Sequence, residues 1–450
     1  MISEVTGSAA AGGTAGRGAT LRRWLAQVMP ATPQERSAAL WSFAYFFMLL
    51  AGYYVLRPIR DQMGIAGGEK NLPWLFTATF LTLLAVQPLY GALVARLPRA
   101  RFIPIVYHFF AANLVLFWLF LILHIDTVVV ARVFYVWVAL FSLFTVAVFW
   151  SFMADLFTPE QGKRLFAFIG AGGTAGSLLG PAITIELSER INPINLLIVA
   201  AVFLELAVVC VWRLEHAASV RQGSEPAPQR VGGSAFAALP ELIRSPYLLG
   251  IAGWITLLSF CATTLYLEQI HMVAADVKGA GAQTRIFASV DLAVNVLTLV
   301  TQIFATAHLL KRFGTGLVAG ALPAVYVVAF LAVFLAPTLL VVLIAQVAQR
   351  WTHFAVATPA RQVFYTVLDR EEKYKAKNLI DVVVYRGSDA LYSWVFNSLQ
   401  ALGLKLGAVA LVAAPVAAIW VALSAALGRA QERRARLTEA GREAGAAGGN

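Results

Sequence analysis

Arg57, Arg60 and Asp61 stand at i, i+3 and i+4 inside an apolar run, so on a helix they share one face. Two guanidiniums partly neutralised by one carboxylate can grip a phosphate-bearing anion bidentately; the same residues could also anchor the outer rim of a helix kinked at Pro58. Asp381, Tyr385, Arg386, Ser388 and Asp389 form the densest polar cluster within any apolar run, and Arg386 and Asp389 are spaced either to neutralise one another or to serve a ligand. Gln346, Arg350 and His353 fall on one helical stripe, as do Asp291, Asn295, Thr298 and Gln302. Such stripes face a watery path or make interhelical hydrogen bonds. Glu205 has no cation within a helical turn; a structural hydrogen bond or a proton-exchanging site would account for it, and Asp291 is the other carboxyl placed to titrate.

The elements that carry these residues are hydrophobic. Of 450 residues 59% are hydrophobic and 13% charged, which excludes an ordinary water-soluble domain. Apolar runs of membrane-spanning length recur twelve times, from 38–63 to 406–427, and they are too long for barrel strands. The expected fold is an all-α membrane protein with twelve transmembrane helices in two six-helix bundles. Residues 1–36 form an N-terminal tail, 37–212 and 246–427 the bundles, 213–245 a Pro- and Gly-containing linker, and 428–450 a C-terminal tail. Most Lys and Arg lie on the side that holds both tails and the linker, which places the termini in the cytoplasm and the protein in the cytoplasmic (inner) membrane.

The net charge of +11 is accounted for by these loops, so no nucleic-acid partner is expected. Cys210 and Cys261 lie within apolar runs and imply no disulfide framework. The Gly/Ala/Ser/Thr-rich N-terminus reads as a disordered tail, and Thr32-Pro33-Gln34-Glu35 as a capping box opening the first helix. There is no phosphate-binding loop, metal-ligand spacing or nucleophile elbow, so neither an enzyme nor a cofactor is expected, and nothing here would hydrolyse a nucleotide to supply energy. Glu160, Lys163 and Arg164 follow Trp150 as Lys375 and Lys377 follow Trp351; these matching charge runs are either solvated surfaces or a cytoplasmic gate between the halves. Gly172, Gly176 and Gly180 line one helix face, a packing device.

Gly91–Arg99 and Ala307–Gly314 occupy equivalent places in the two halves and resemble the Gly-x-Leu-x-Asp-Arg-x-Gly-Arg loop of the major facilitator superfamily, with Ala95 and Lys311 at the Asp position. Phe149-Trp150, Glu160-Gln161-Gly162-Lys163-Arg164-Leu165-Phe166 and Gly170-Ala171-Gly172 resemble the ATP:ADP antiporter (nucleotide transporter) family, a relative of that superfamily. Lys375-Ala376-Lys377-Asn378-Leu379-Ile380-Asp381-Val382-Val383 is similar to that family's Lys-Ala-Lys-x-x-Ile-Asp-Val-Val, and Arg57–Asp61 to its basic-Asp pair in the first span. After Val383 the family's Asn-Pro-Leu-Gly-Lys-Ser-Gly-Gly is replaced by Val384-Tyr385-Arg386-Gly387-Ser388-Asp389.

The resemblance implies a major facilitator fold that moves a nucleotide or another phosphate-bearing metabolite by alternating access, with the lipid bilayer and a small anionic substrate as partners and a monomer as the working unit. Arg57, Arg60, Arg350 and Arg386 would then supply a positive cavity, with Asp61, Asp381 and Asp389 holding them between transport events. Two other readings stay open: a proton-coupled carrier of another organic solute, and a non-transporting scaffold or receptor that keeps the fold.

Overall fold

An ionised or unbonded polar group is costly in hydrocarbon, so long apolar segments satisfy their backbone as helices. The computed structural model describes residues 35–96, 99–219, 239–368, 376–377 and 379–447, and among them there is no strand. Twelve long helices follow one another along the chain. The first six are α1 Arg36–Ala66, α2 Leu72–Arg96, α3 Arg99–Ile122, α4 Thr127–Leu156, α5 Pro159–Leu187 and α6 Leu196–Ser219. The second six are α7 Pro246–Asp276, α8 Ala280–Phe304, α9 Thr306–Leu335, α10 Leu339–Thr352, α11 Tyr385–Ala401 and α12 Leu406–Ala447. Helix α10 runs on through a π-helical turn, His353–Ala357, into Thr358–Phe364, and another π-helical turn, Leu379–Val384, leads into α11. Among the described residues ten helices are long and apolar enough to cross a membrane. Helices α2 and α11 complete the twelve-span, all-α membrane architecture expected from hydropathy.

Local sequence sets the helix starts. Thr158 and Gln161 close a reciprocal capping box with Pro159 in the first turn of α5, so Glu160–Arg164 belong to that helix. Ser245 caps α7 ahead of Pro246, and Thr338 caps α10. Two helices outrun their apolar segments: α6 reaches Ser219, and α12 continues for 42 residues to Ala447, through the stretch expected to be a tail. Thr32–Gln34 of the expected capping box and the Gly/Pro centre of the linker lie outside the described residues.

Each half has its own core. In the first, α1 packs on α5 and α6, and α3 on α6; in the second, α9 packs on α12, and α7 on α11 and α12. The α1–α5 contact is made by backbone. A Cβ at Gly172 would strike the Phe43 carbonyl, one at Gly176 the Phe47 carbonyl, and one at Gly180 would lie 2.6 Å from the Ala51 oxygen. Glycine at these three positions is what lets two helices touch main chain to main chain.

Both α1 and α7 start at one face of the bundle, here the terminal face, and among the described residues the halves pack together toward the opposite face. There Leu72, Leu75 and Tyr135 share an apolar cluster with Leu267, Ile270, Val273, Phe287 and Phe396. Trp74 and Trp394 meet edge to face with centroids 4.9 Å apart, and Trp394 Nε1 donates to Thr77 Oγ1 at 3.0 Å. Arg285 bonds Glu189 at 2.5 Å, and Gly281 abuts the Ser188 carbonyl. At mid-depth Asn295 Nδ2 donates to the Ser177 carbonyl at 2.7 Å.

Candidate functional site

Below that seal a cavity of about 270 Å³ lies between the halves, and Arg57, Arg60, Arg350 and Arg386 all line it. Helix α1 delivers the first two, α10 the third and α11 the fourth. Their carboxylate partners are distributed unevenly.

Asp291, on α8, is 1% exposed; its Oδ1 lies 2.6 Å from Arg350 Nη2 and 3.5 Å from Arg57 Nη1. One carboxylate from the second half thus serves a guanidinium of each half, which leaves this trio with one net positive charge. Among the described residues neither Asp291 oxygen accepts an aligned hydrogen bond, and Arg57 Nε, Arg350 Nε and Arg350 Nη2 are likewise buried without one, so the trio is held by Coulomb attraction.

Arg60 is engaged differently. Its Nη2 and Nε donate to Asp61 Oδ1 at 2.5 and 3.0 Å, and its guanidinium lies 5.3 Å from the Tyr135 ring centroid. The same Asp61 oxygen accepts from Tyr266 OH at 2.9 Å, and that hydroxyl is 3.2 Å from Tyr135 OH, so α1, α4 and α7 are tied together over the cavity. Arg386 donates to Asp389 Oδ2 at 3.4 Å, while Asp389 Oδ1 accepts from Ser259 Oγ at 2.6 Å and Thr263 Oγ1 at 3.3 Å. Behind Arg350 runs an amide chain: Gln346 Nε2 donates to Gln269, Gln349 Nε2 to Gln346, and Tyr326 OH to Gln349. This chain fixes α10 against α7 and α9. The remaining wall is strongly aromatic, with Tyr53, Phe76, Phe80, Phe354 and Tyr385 among its members.

A second cavity of about 240 Å³ shares Leu258, His353, Tyr385 and Arg386 with the first. It contains Arg361 and Asp381, joined through Arg361 Nη1 at 3.2 Å, and it lies toward the terminal face. Of the seven expected ligand residues, Arg57, Arg60, Arg350, Arg386 and Asp389 line the first cavity, Asp61 stands behind Arg60, and Asp381 lines the second.

The other sequence candidates lie elsewhere. Glu160 and Lys163 are exposed at the start of α5, and Arg164 Nη2 bonds Glu35 at 2.9 Å within the same half. Lys377 Nζ donates to Gln362 at 2.9 Å, also within one half, and Lys375 lies outside the described residues. Glu205 is half-exposed on the outer surface of α6, where His108 Nδ1 of α3 stands 3.0 Å away, while Asp291 is buried against Arg57 and Arg350, two residues of the chamber wall. In the α8 stripe, Asp291 and Asn295 make contacts across the halves, and Gln302 donates to the Phe354 carbonyl at 3.3 Å.

Arg361, Tyr135 and Tyr266 escaped the sequence reading. A signal for Arg361 was present, since it stands three helical turns beyond Arg350 on the same stripe. Nothing local marks the two tyrosines among the many aromatics of the chain.

Comparison with known proteins gives a consistent picture. The family model described as Major Facilitator Superfamily matches residues 36–364. "ADP,ATP carrier protein 1" of Chlamydia trachomatis serovar D is 22% identical over 304 residues, 58% of this chain and 57% of that protein. "ADP,ATP carrier protein 1" of Chlamydia muridarum is 24% identical over 280 residues, 53% of this chain and 52% of its own. The chain thus spans about half the length of the curated relatives it matches. Three solved transporters share the fold. A bacterial homologue of the iron transporter ferroportin, in an inward-facing state, gives a TM-score of 0.63 at 10% identity and covers 87% of this chain and 100% of its own. A point mutant of the nucleoside transporter NupG gives 0.59 at 12%, covering 88% and 99%. A bacterial homologue of the human lysosomal transporter Spinster, inward-facing and unoccupied, gives 0.56 at 15%, covering 89% and 99%.

Proposed function

The chain belongs to the Major Facilitator Superfamily, and we propose that within it this protein is a secondary carrier of a small phosphate-bearing anion of nucleotide type, exchanged by alternating access. The observation that carries this reading is the pair Arg57 and Arg350, which come from opposite halves, line one cavity and share a single carboxylate, Asp291. A phosphate group offers several acceptor oxygens and can satisfy both guanidiniums in bidentate fashion, displacing Asp291 as their common partner. Because that partnership spans the halves, binding and the interdomain contact compete for the same donors, which couples occupancy to rearrangement. The aromatic wall supplies faces on which a base can stack. The names of the Chlamydia relatives support a nucleotide as the cargo.

In this reading Arg57, Arg60, Arg350 and Arg386 contact the substrate, and Asp61, Asp381 and Asp389 hold arginines in its absence. Glu160, Lys163, Arg164, Lys375 and Lys377 act when the terminal face closes. The halves 37–212 and 246–427 rock about the linker, and the terminal face is cytoplasmic, in the inner membrane. An apolar seam between the halves toward the opposite face, with a second cavity adjoining the chamber toward the terminal face, supports an inward-facing arrangement.

The test is counter-exchange in proteoliposomes. Vesicles loaded with unlabelled ATP are expected to take up labelled ATP faster than empty vesicles, and Arg57→Gln or Arg350→Gln is expected to cut the exchange about tenfold or more, as for a lost charge-assisted contact. Equal uptake by loaded and empty vesicles, repeated with other nucleotides, would sink the nucleotide-exchange reading.

A further inference from the structure

The second cavity holds an ion pair that no substrate role has yet used in full. Arg361 projects from the continuation of α10, with 15% of its side chain exposed, and contacts Asp381 at 3.2 Å, while its Nε is buried without a hydrogen-bond partner among the described residues. Asp381 is about twice as exposed, at 32%. The cavity beside the pair adjoins the main chamber, and His353, Tyr385 and Arg386 line both. Both supporting segments break the α-helical register at this depth. His353 begins the π-helical turn that interrupts the α10 course, and Asp381 lies inside the turn that precedes α11. Single π-helical turns concentrate at functional sites because they carry a local irregularity that can shift along the helix.

We infer that Arg361, guarded by Asp381, is a second anion-binding station, placed between the terminal face and the chamber that contains Arg57 and Arg350. Asp381 is the placeholder: it neutralises Arg361 while the station is empty, since a buried guanidinium without a partner is strongly unfavourable. An arriving phosphate competes with this carboxylate for Arg361 and finds Nε as a further donor. Arg386 lines both cavities, so a phosphate on Arg361 can engage it before reaching the chamber. The station is a sequel to the carrier reading and rests on it, but it adds a residue and a site outside the cluster on which that reading stands.

Binding of ATP and of inorganic pyrophosphate to the full-length protein in lipid nanodiscs, followed calorimetrically, tests this. Arg361→Gln is expected to weaken binding about tenfold, and Arg361→Lys by less. Asp381→Asn retains Arg361 and removes its competitor, so it is expected to tighten binding about threefold or more. The opposite signs separate a station from a structural ion pair, which would lose binding and thermal stability with either change. Weakening by both variants, or an effect from neither while Arg350→Gln abolishes binding, overturns the station and leaves the carrier reading intact. Failure of the unmodified protein to bind either compound overturns both. Should Arg361→Gln not fold, the sign of the Asp381→Asn effect decides.

Discussion

Asp291 is the residue on which the chamber balances, because removing its charge leaves Arg57 and Arg350 buried without a shared counterion. Asp291→Asn is expected to destabilise the protein by about 3 kcal/mol, in the range found when one partner of a buried ion pair is lost. Added ATP should restore more thermal stability to this variant than to the unmodified protein, since the ligand then replaces a missing counterion. A smaller ATP shift in the variant would contradict the shared-carboxylate argument. Glu268 on α7 is the reverse case: it is fully buried, and neither side-chain oxygen has a hydrogen-bond partner among the described residues. Glu268→Met is expected to raise stability by about 1–4 kcal/mol, read as a higher unfolding midpoint in detergent. The charged residues were legible in the sequence because hydrocarbon makes each of them conspicuous. Their pairing was not. Arg57 and Arg60 read as one face with Asp61, yet Arg60 takes Asp61 and Arg57 reaches across to α8, and Glu205 meets His108 on the outer surface. Helix rotation decides those outcomes, and apolar runs without a polar side carry little information about rotation.

At the scale of elements, the α1–α5 contact is the strictest feature of the first half. Gly176→Ala would drive a methyl into the Phe47 carbonyl, a main-chain atom that cannot turn aside, whereas Gly170 on the same helix has nothing within 4 Å of its Cβ position. Gly176→Ala is therefore expected to cost about 1–3 kcal/mol or more, and Gly170→Ala to be neutral or slightly stabilising; paired thermal melts check the contrast. The existence and order of the helices were readable because bilayer thickness dictates run length, and the glycine face was readable as packing because its spacing matches a helical turn. The π-helical turns at His353–Ala357 and Leu379–Val384 were not, since no residue type marks a one-residue slip in the backbone ladder.

At the scale of the whole molecule, the contacts between halves among the described residues converge away from the terminal face, and the proposed alternating access requires that they part. Glu189→Cys with Arg285→Cys places two thiols where an ion pair already joins the end of α5 to the start of α8. Bridging this double variant with a short, cleavable thiol cross-linker is expected to stop exchange, and cleavage to restore it, with little background because the native Cys210 and Cys261 are buried. Unimpaired exchange after confirmed cross-linking would mean that this seam stays shut throughout the cycle. Helix α12 runs unbroken from Leu406 to Ala447, and beyond the apolar segment Arg434 rests its guanidinium 4.5 Å from the Tyr247 ring centroid at the root of α7. Such a rod is a pointer fixed to the second half: at 1.5 Å of rise per residue, a swing of a few degrees inside the membrane becomes a displacement of several ångströms at its tip. A spin label at exposed Leu437, measured against a second label on the first half, would therefore read the stroke of the machine from outside the bilayer, without disturbing a single residue of the chamber.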